Sequence, residues 1–356
     1  MPATPLLNEI IAALPQPTLA IDRSERIVAL NEPGETLLGQ GILGRHFITV
    51  LRQPVLVDAV EKCLADRLAR RATYLKGDGG SDTTFEVDLR KIAGTGTVVL
   101  TFQDVSHMAQ AGQMRRDFVA NVSHELRTPL TSLMGFIETL RGPARDDAAA
   151  RDRFLQIMTG EAERMNRLVG ELLSLSRVES EERVRPRDRI DLQQVLQTTL
   201  RNLAPLAVDS DVTLRPDLGD APLVILGDAD QLLQVFTNLL ENAIKYGGRD
   251  RPVEIEAEIT PRDPALRGPA VRIAVTDHGP GIAPLHLPRL TERFYRVDSH
   301  RSRALGGTGL GLAIVKHILN RHRGRLKITS QVGQGAQFTV ILPLAPDTDT
   351  QDAATD

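Results

Sequence analysis

Two apolar repeats of period seven constrain this chain most. Val119, Val122, Leu126, Pro129, Leu133, Phe136 and Leu140 alternate three and four residues apart; Phe154, Met158, Glu161, Met165, Leu168, Leu172 and Leu175 alternate four and three. Such spacing keeps one stripe on one helix face, with Pro129 and Glu161 as the imperfect members. No strand signal interrupts residues 106–183. Between the repeats, residues 141–153 hold Gly142-Pro143 and several charges, so the chain is expected to turn back there. The expectation is an antiparallel helical hairpin. One hairpin buries one face, so two chains are expected to pair through 106–183 into a four-helix bundle, a homodimer. A hairpin packed on the rest of its own chain is the alternative.

The remaining sequence divides around this hairpin. A chain of 356 residues holds two or three domains at roughly 100–200 residues each. Residues 1–105 alternate short elements. These are a helix at 6–14 ended by Pro15, a strand hairpin at 18–22 and 26–30, and a short helix with Asn31 as N-cap and Pro33 in its first turn. Strands at 85–90 and 97–102 follow, joined by a Gly-rich turn. That mixture predicts an α+β domain. Residues 180–189, charged and interrupted by Pro186, read as a linker. Residues 190–345 alternate helices at 192–203, 228–246 and 311–322 with strands at 253–258, 271–276, 325–329 and 337–342. A Pro/Gly loop covers 261–269. Residues 346–356 are acidic with almost nothing to bury, so a disordered tail is expected.

Composition excludes several functions. Lys+Arg 43 against Asp+Glu 46 gives a net charge of −3, whereas a nucleic-acid binder carries a basic excess. The single cysteine, Cys63, rules out an intramolecular disulfide and a cysteine zinc cluster. A membrane helix needs about 20 mainly apolar residues. The uncharged stretch 328–346 carries Ser330, Gln331, Gly333, Gln334, Gly335 and Pro343, and reads as strand, turn and strand. The first residues lack the basic segment of a signal peptide. A cytoplasmic chain is expected, held at the inner membrane face only through a partner or an upstream anchor.

The chemistry sits in five segments. The first is Phe118-Val-Ala-Asn-Val-Ser-His-Glu-Leu-Arg-Thr-Pro-Leu130. With Val119 at heptad a and Val122 at d, His124 falls at f and faces solvent. A lone surface histidine is ordinarily inert, but its neighbours change that reading. Glu125 can hold an imidazole nitrogen or take its proton. Thr128, one turn on, shares the exposed face. Pro129 removes the backbone bond to the Glu125 carbonyl and is expected to kink the helix. An imidazole that is neutral at cell pH is a nucleophile.

The other four lie further on. Asn238-Leu-Leu-Glu-Asn-Ala-Ile-Lys-Tyr246 is helical, with Asn238 and Asn242 one turn apart. Amide oxygens suit Mg²⁺ and Lys245 suits a phosphate, although alone they equally fit a polar helix face. Val275-Thr-Asp-His-Gly-Pro-Gly-Ile282 ends a strand with a carboxylate and two glycines that allow close approach to the backbone. Glu292-Arg-Phe-Tyr-Arg-Val-Asp-Ser-His-Arg-Ser-Arg-Ala304 reads as a mobile basic lid over a phosphate. Gly306-Gly-Thr-Gly-Leu-Gly-Leu312 opens the next helix as an anion cradle. No Gly-Lys-Ser/Thr follows, so it is not a P-loop, and no strand leads into it as a dinucleotide fold requires.

In this order, after a His-Glu-x-x-Thr-Pro helix, these segments closely resemble the sensor histidine kinases of two-component signalling over residues 106–345. Leu290-Thr-Glu-Arg-Phe-Tyr-Arg-Val-Asp298 and the ungapped 306–317 are most similar to the phosphate-regulon sensor kinases. Ala29-Leu-Asn-Glu-Pro33 and Phe102-Gln-Asp-Val-Ser106 resemble the marks of a PAS domain over 1–105. The resemblance implies three folds in one multidomain chain. They are an α+β PAS domain, a dimeric histidine-phosphotransfer hairpin over 106–183, and an α/β-sandwich ATP-binding domain of the gyrase/chaperone type over 184–345.

It also implies residue roles. His124 would be autophosphorylated by ATP and pass the phosphoryl group to an aspartate of a response regulator receiver domain. Glu125 would be its acid/base partner, and Thr128 would position water for dephosphorylating that regulator. Asn242 would bind Mg²⁺ with Asn238 near the phosphates; Lys245 would contact phosphate and Tyr246 would line the pocket. Asp277 would accept the adenine amino group in a pocket shaped by Gly279 and Gly281. Gly307, Gly309 and Gly311, with Thr308 and Leu310 in the same turn, would admit the phosphates. Phe294 and Arg296 would belong to the lid. His278 departs from the family, where Asn is commoner. The PAS domain would hold a ligand or bind a regulatory protein, the latter if the phosphate-regulon likeness holds; it carries no haem or flavin signature, and His46 and Cys63 are read as structural. The alternative is a gyrase- or chaperone-type ATPase without phosphohistidine. Asn238 stands where such ATPases carry a water-activating Glu, and an amide cannot serve as a general base, which favours transfer over hydrolysis.

Overall fold

The computed structural model describes residues 5–66, 68–77, 82–182, 184–298 and 307–346. The chain forms two compact units, Met1–Ala120 and Asn121–Asp356.

The first unit is α+β. Helix α1 (Pro5–Ala12) precedes strands β1 (Thr18–Ile21) and β2 (Ile27–Leu30), then helices α2 (Glu32–Leu38) and α3 (Pro54–Asp66). Strands β3 (Arg70–Gly77), β4 (Asp82–Lys91) and β5 (Val98–Asp104) complete an antiparallel sheet in the order β2-β1-β5-β4-β3. Asn31 caps α2 as expected, accepting from the Gly34 N–H at 2.9 Å. The same buried side chain accepts from the Thr18 N–H and donates to the Leu14 and Gln16 carbonyls. One amide thereby fixes both a helix start and a strand start. Phe47, Leu51, Leu56, Val60 and Cys63 pack against Val87, Leu89, Leu100 and Phe102 as the core. The sequence reading contains neither α3 nor β3. β3 buries only Ala72 among charged and polar neighbours, so its strand signal is faint.

Helices α4 (Ser106–Arg141) and α5 (Ala148–Glu181) are the two repeats. α4 runs through Pro129, which is buried in the seam. Phe136 packs against Phe154 with ring centroids 5.3 Å apart and planes tilted by 30°, which pairs the two helices near their turn. A second apolar stripe remains outside: Leu130, Met134 and Ile137 on α4, and Val169 and Leu173 on α5, are all exposed.

The rest of the second unit is an α/β sandwich. Helices α6 (Leu192–Asp209), α7 (Ala229–Tyr246) and α8 (Gly311–Arg321) cover one sheet. It is built from β7 (Thr213–Asp217), β9 (Pro252–Asp263), β10 (Gly268–Asp277), β11 (Arg325–Ser330) and β12 (Ala336–Pro343) in the order β11-β12-β10-β9-β7. Only β7 and β9 pair in parallel within it. Strands β6 (Asp188–Asp191) and β8 (Val224–Gly227) form a separate ladder.

Two sequence expectations are corrected here. The stretch 261–269 is mostly strand, with a turn only between Asp263 and Gly268, because the buried Asp263 accepts from the Ala265 N–H at 2.7 Å and pairs with Arg272. The linker 180–189 is narrower than expected, since α5 runs to Glu181 and β6 starts at Asp188. Residues 299–306 of the lid, including Gly306, and the tail beyond Pro346 lie outside the described residues. Among the described residues no helix is long and apolar enough to cross a membrane.

His322, just past α8, ties together the two helices that face the site. Its Nδ1 lies 2.8 Å from the Ile318 carbonyl, while Nε2 accepts from the Asp228 N–H at 3.0 Å. Asp228 is the N-cap of α7. This pairing requires a neutral ring. Burial pushes the His322 pKa below its ordinary value of 6.5. The unfolded chain therefore binds the extra proton first, and stability is complete above about pH 6.5 and falls as the pH drops toward the folded value. We expect the urea midpoint to fall between pH 7.5 and 5, the His322 contribution having a slope of up to about 1.4 kcal/mol per pH unit. His322→Gln should be less stable at pH 7.5 and show a flatter profile. Parallel profiles would assign the slope to other groups.

Candidate nucleotide and phosphotransfer site

Helix α7 is amphipathic. Leu232, Val235, Phe236, Leu239, Leu240 and Ile244 are buried, which turns Asn238, Asn242 and Lys245 toward a cavity of about 270 Å³. Asn238 Nδ2 donates to the Gly311 carbonyl at 3.4 Å, holding the start of α8 beside α7. Lys245 Nζ lies 2.6 Å from Glu241, one turn earlier on the same helix. Tyr246 lines the same cavity.

The opposite wall is the end of β10. Asp277 is 6% exposed and accepts from the Gly279 N–H at 2.9 Å. Burial pushes its carboxyl pKa up, opposed by hydrogen bonds from the Gly279 and Ala336 backbones. A buried carboxylate with spare lone pairs is an acceptor for an amino group. Gly281 has φ +70°, and a Cβ there would stand 2.0 Å from the Gln331 carbonyl, so glycine is required.

The third wall is the Gly-rich turn. Gly307, Thr308, Gly309 and Gly311 line the cavity, while Leu310 is fully buried and anchors the turn. Gly309 has φ +79° and lies against the Phe294 backbone. Phe294 is itself left-handed, φ 64°, and its N–H donates to the Gly309 carbonyl at 2.8 Å.

Arg296 joins this turn to the hairpin. Its Nη2 donates to the Thr308 carbonyl at 2.7 Å and to Glu125 Oε2 at 3.1 Å. Glu125 also accepts from Arg164 of α5 at 3.1 Å. The side chain expected to serve His124 is thus held by two arginines in this arrangement. His124 is exposed beside it, and Thr128, also exposed, donates through Oγ1 to the His124 carbonyl at 3.1 Å.

Most of the nucleotide residues singled out from the sequence therefore meet around one cavity. Gly279, Phe294 and Leu310 support its walls, and His124, Glu125 and Thr128 stand outside its lining. Arg164 and Glu171 were not foreseen. Glu171 of α5 lines the cavity and accepts from Thr308 Oγ1. Burial raises its pKa, opposed by the Thr308 hydrogen bond and the Lys245 charge. Nothing in the spacing of α5 separates either residue from a solvated helix face.

The residues fit the groups implied for this site. The walls supply an amino-group acceptor, a lysine, a glycine cradle, and the amide and carboxylate oxygens of Asn238, Asn242 and Glu241, which are hard donors suited to Mg²⁺.

Two family models match the chain: the histidine kinase-, DNA gyrase B- and HSP90-like ATPase over residues 227–346, and the His Kinase A (phospho-acceptor) domain over residues 114–181. The chain is 34% identical over 357 residues to the sensor-like histidine kinase SenX3 of Mycobacterium tuberculosis, a match covering 95% of this chain and 80% of that one. It is 45% identical over 242 residues to the phosphate regulon sensor protein PhoR of Pseudomonas aeruginosa, covering 68% of this chain and 53% of that protein. Among solved structures, histidine kinase ThkA in complex with response regulator protein TrrA matches with a TM-score of 0.52 and 21% identity, over 96% of this chain and 99% of that one. That likeness bears on the fold.

Proposed function

This chain belongs to the sensor histidine kinases, which use ATP to phosphorylate a histidine and pass the phosphoryl group to a response regulator, and we propose that here the phosphorylated residue is His124 and the nucleotide site is the cavity beside α7. The observation that carries this reading is Arg296, which contacts both the Gly-rich turn of the cavity and Glu125, the neighbour of His124. A gyrase-type hydrolase needs no phospho-acceptor helix, and the match over 114–181 favours transfer.

The residues divide the work. Asp277 receives the adenine amino group, and Lys245, once parted from Glu241, meets the phosphates. Asn242, with Asn238 beside it, holds Mg²⁺, which when bound neutralises triphosphate charge. A neutral His124 nitrogen attacks the γ-phosphorus; the N–P bond forms as the bond to the ADP oxygen breaks, and Glu125 takes the ring proton. The exposed stripe of Leu130, Met134, Ile137, Val169 and Leu173 supports a homodimer through the hairpin. The sheet order of the first unit and its Asn31 cap support a PAS domain, and the likeness to PhoR makes a regulatory protein its proposed partner. The similarity to PhoR supports phosphate-starvation signalling as the pathway.

Thr128 tests the reading. Its hydroxyl shares the exposed face of His124 and can orient a water toward an aspartyl phosphate docked on the hairpin, but it is not needed to accept phosphate from ATP. With γ-labelled ATP and a matching receiver domain, the wild type should acquire acid-labile, alkali-stable label and transfer it. Thr128→Ala should keep autophosphorylation within a few-fold and lose most dephosphorylation of the regulator, with a stability change within about 0.5 kcal/mol. Equal loss of both activities would reduce Thr128 to a support of the helix and the protein to a kinase alone.

A further inference from the structure

The nucleotide cavity receives a side chain from the hairpin, Glu171 of α5, that phosphoryl transfer to His124 does not use. Its carboxylate accepts from Thr308 Oγ1 in the Gly-rich turn, and it feels the charges of Lys245 and Glu241. On the nucleotide reading those residues meet the phosphates, and Asp277, which lines the same cavity, meets the adenine. Elsewhere α5 and its C-cap Glu182 are held to the nucleotide-binding part by pairs outside the cavity. Glu179 meets Arg293 at 2.6 Å, Glu182 meets His317 at 2.8 Å, and Ser174 meets Gln234 at 3.0 Å. Only Glu171 among these α5 residues lines the cavity. A carboxyl group, negative once above its raised pKa, therefore stands where on that reading a triphosphate would place its own charge.

Resting on the reading of this cavity as the nucleotide site, we propose that Glu171 is a selectivity residue: with α5 seated as here, its carboxylate holds Thr308 and disfavours the third phosphate, so that α5 seating and triphosphate binding oppose each other while a diphosphate is tolerated. Repulsion between like charges grows with the charge the ligand brings, from none in adenosine to most in ATP. Because such coupling is reciprocal, a bound triphosphate weakens the seating of α5 by the factor that seating weakens the triphosphate. The diphosphate left after transfer escapes most of that penalty and is compatible with a seated α5.

The variant Glu171→Gln isolates the charge. Glutamine keeps the shape and a carbonyl that can accept from Thr308 Oγ1. Equilibrium binding of adenosine, MgADP and a non-hydrolysable MgATP analogue is measured on the full chain and on the variant. We expect the ATP analogue to bind at least fivefold tighter, MgADP to change twofold or less, and adenosine to be unchanged, which also certifies an intact pocket. The same shift for all three ligands, no shift for the analogue, or a weaker analogue overturns the proposal. A wild type that binds none of the three overturns the nucleotide-site reading itself, and this inference with it.

Discussion

His124→Gln protein is expected to take up no phosphoryl label from γ-labelled ATP while binding the nucleotide as tightly as the wild type. His124 is exposed and does not line the cavity, so its removal takes no wall from the nucleotide site. The Thr128 hydroxyl bonds the His124 backbone carbonyl, which any residue supplies. Glutamine is a sound helix former, so a surface substitution here should stay within about 0.5 kcal/mol. What disappears is the ring nitrogen, since an amide nitrogen is no nucleophile at neutral pH. Labelling should fall at least a thousandfold, to background, with unaltered affinity for a non-hydrolysable ATP analogue. The chain has eight histidines, so the result discriminates. Alkali-stable label persisting in the variant would move the acceptor to another of them.

Legibility of the fold followed the strength of periodic burial. The seven-residue repeats are long, and α4 and α5 formed where the spacing put them, with Leu168 and Leu175 buried in the seam. Asn31 was legible because a cap is local chemistry, settled within four residues. Strands β6 and β7 were not, because neither buries a single residue and so neither shows an alternating pattern. At 261–269 the prolines read as a loop, yet Pro261 and Pro269 sit inside a strand pair and only Pro264 lies in the turn set by Asp263.

The candidate site divides the same way. Asp277, Asn238, Asn242 and the glycines were visible because their types and order are rare outside a nucleotide pocket. Arg164 and Glu171 were not, because an arginine or glutamate on a helix surface looks solvated until a neighbouring element docks on it. Their meaning lies in long-range contacts, Arg164 with Glu125 and Glu171 with Thr308, which no local pattern encodes.

Asn242→Ala should abolish autophosphorylation and leave the fold intact. Asn242 is half-buried on α7, one turn from Asn238, with its side chain lining the cavity. Alanine is the better helix former, so the substitution favours α7 by up to about 0.7 kcal/mol and opens no core cavity. The lost amide oxygen is the hard donor proposed for Mg²⁺. Without it, triphosphate charge would be screened only by cations already shared with carboxylates, Lys245 with Glu241 and Arg296 with Glu125. Phosphoryl transfer depends on positioning and charge neutralisation, so the rate should drop at least a hundredfold. The Asp277 end is untouched, and adenosine should bind as in the wild type. Raising Mg²⁺ should recover part of the labelling in this variant while leaving the saturated wild type unchanged, a response that simple misfolding would not produce. Normal labelling at ordinary Mg²⁺ would remove Asn242 from the metal role and leave Glu241 and Asn238 as the remaining oxygen donors on that face of α7.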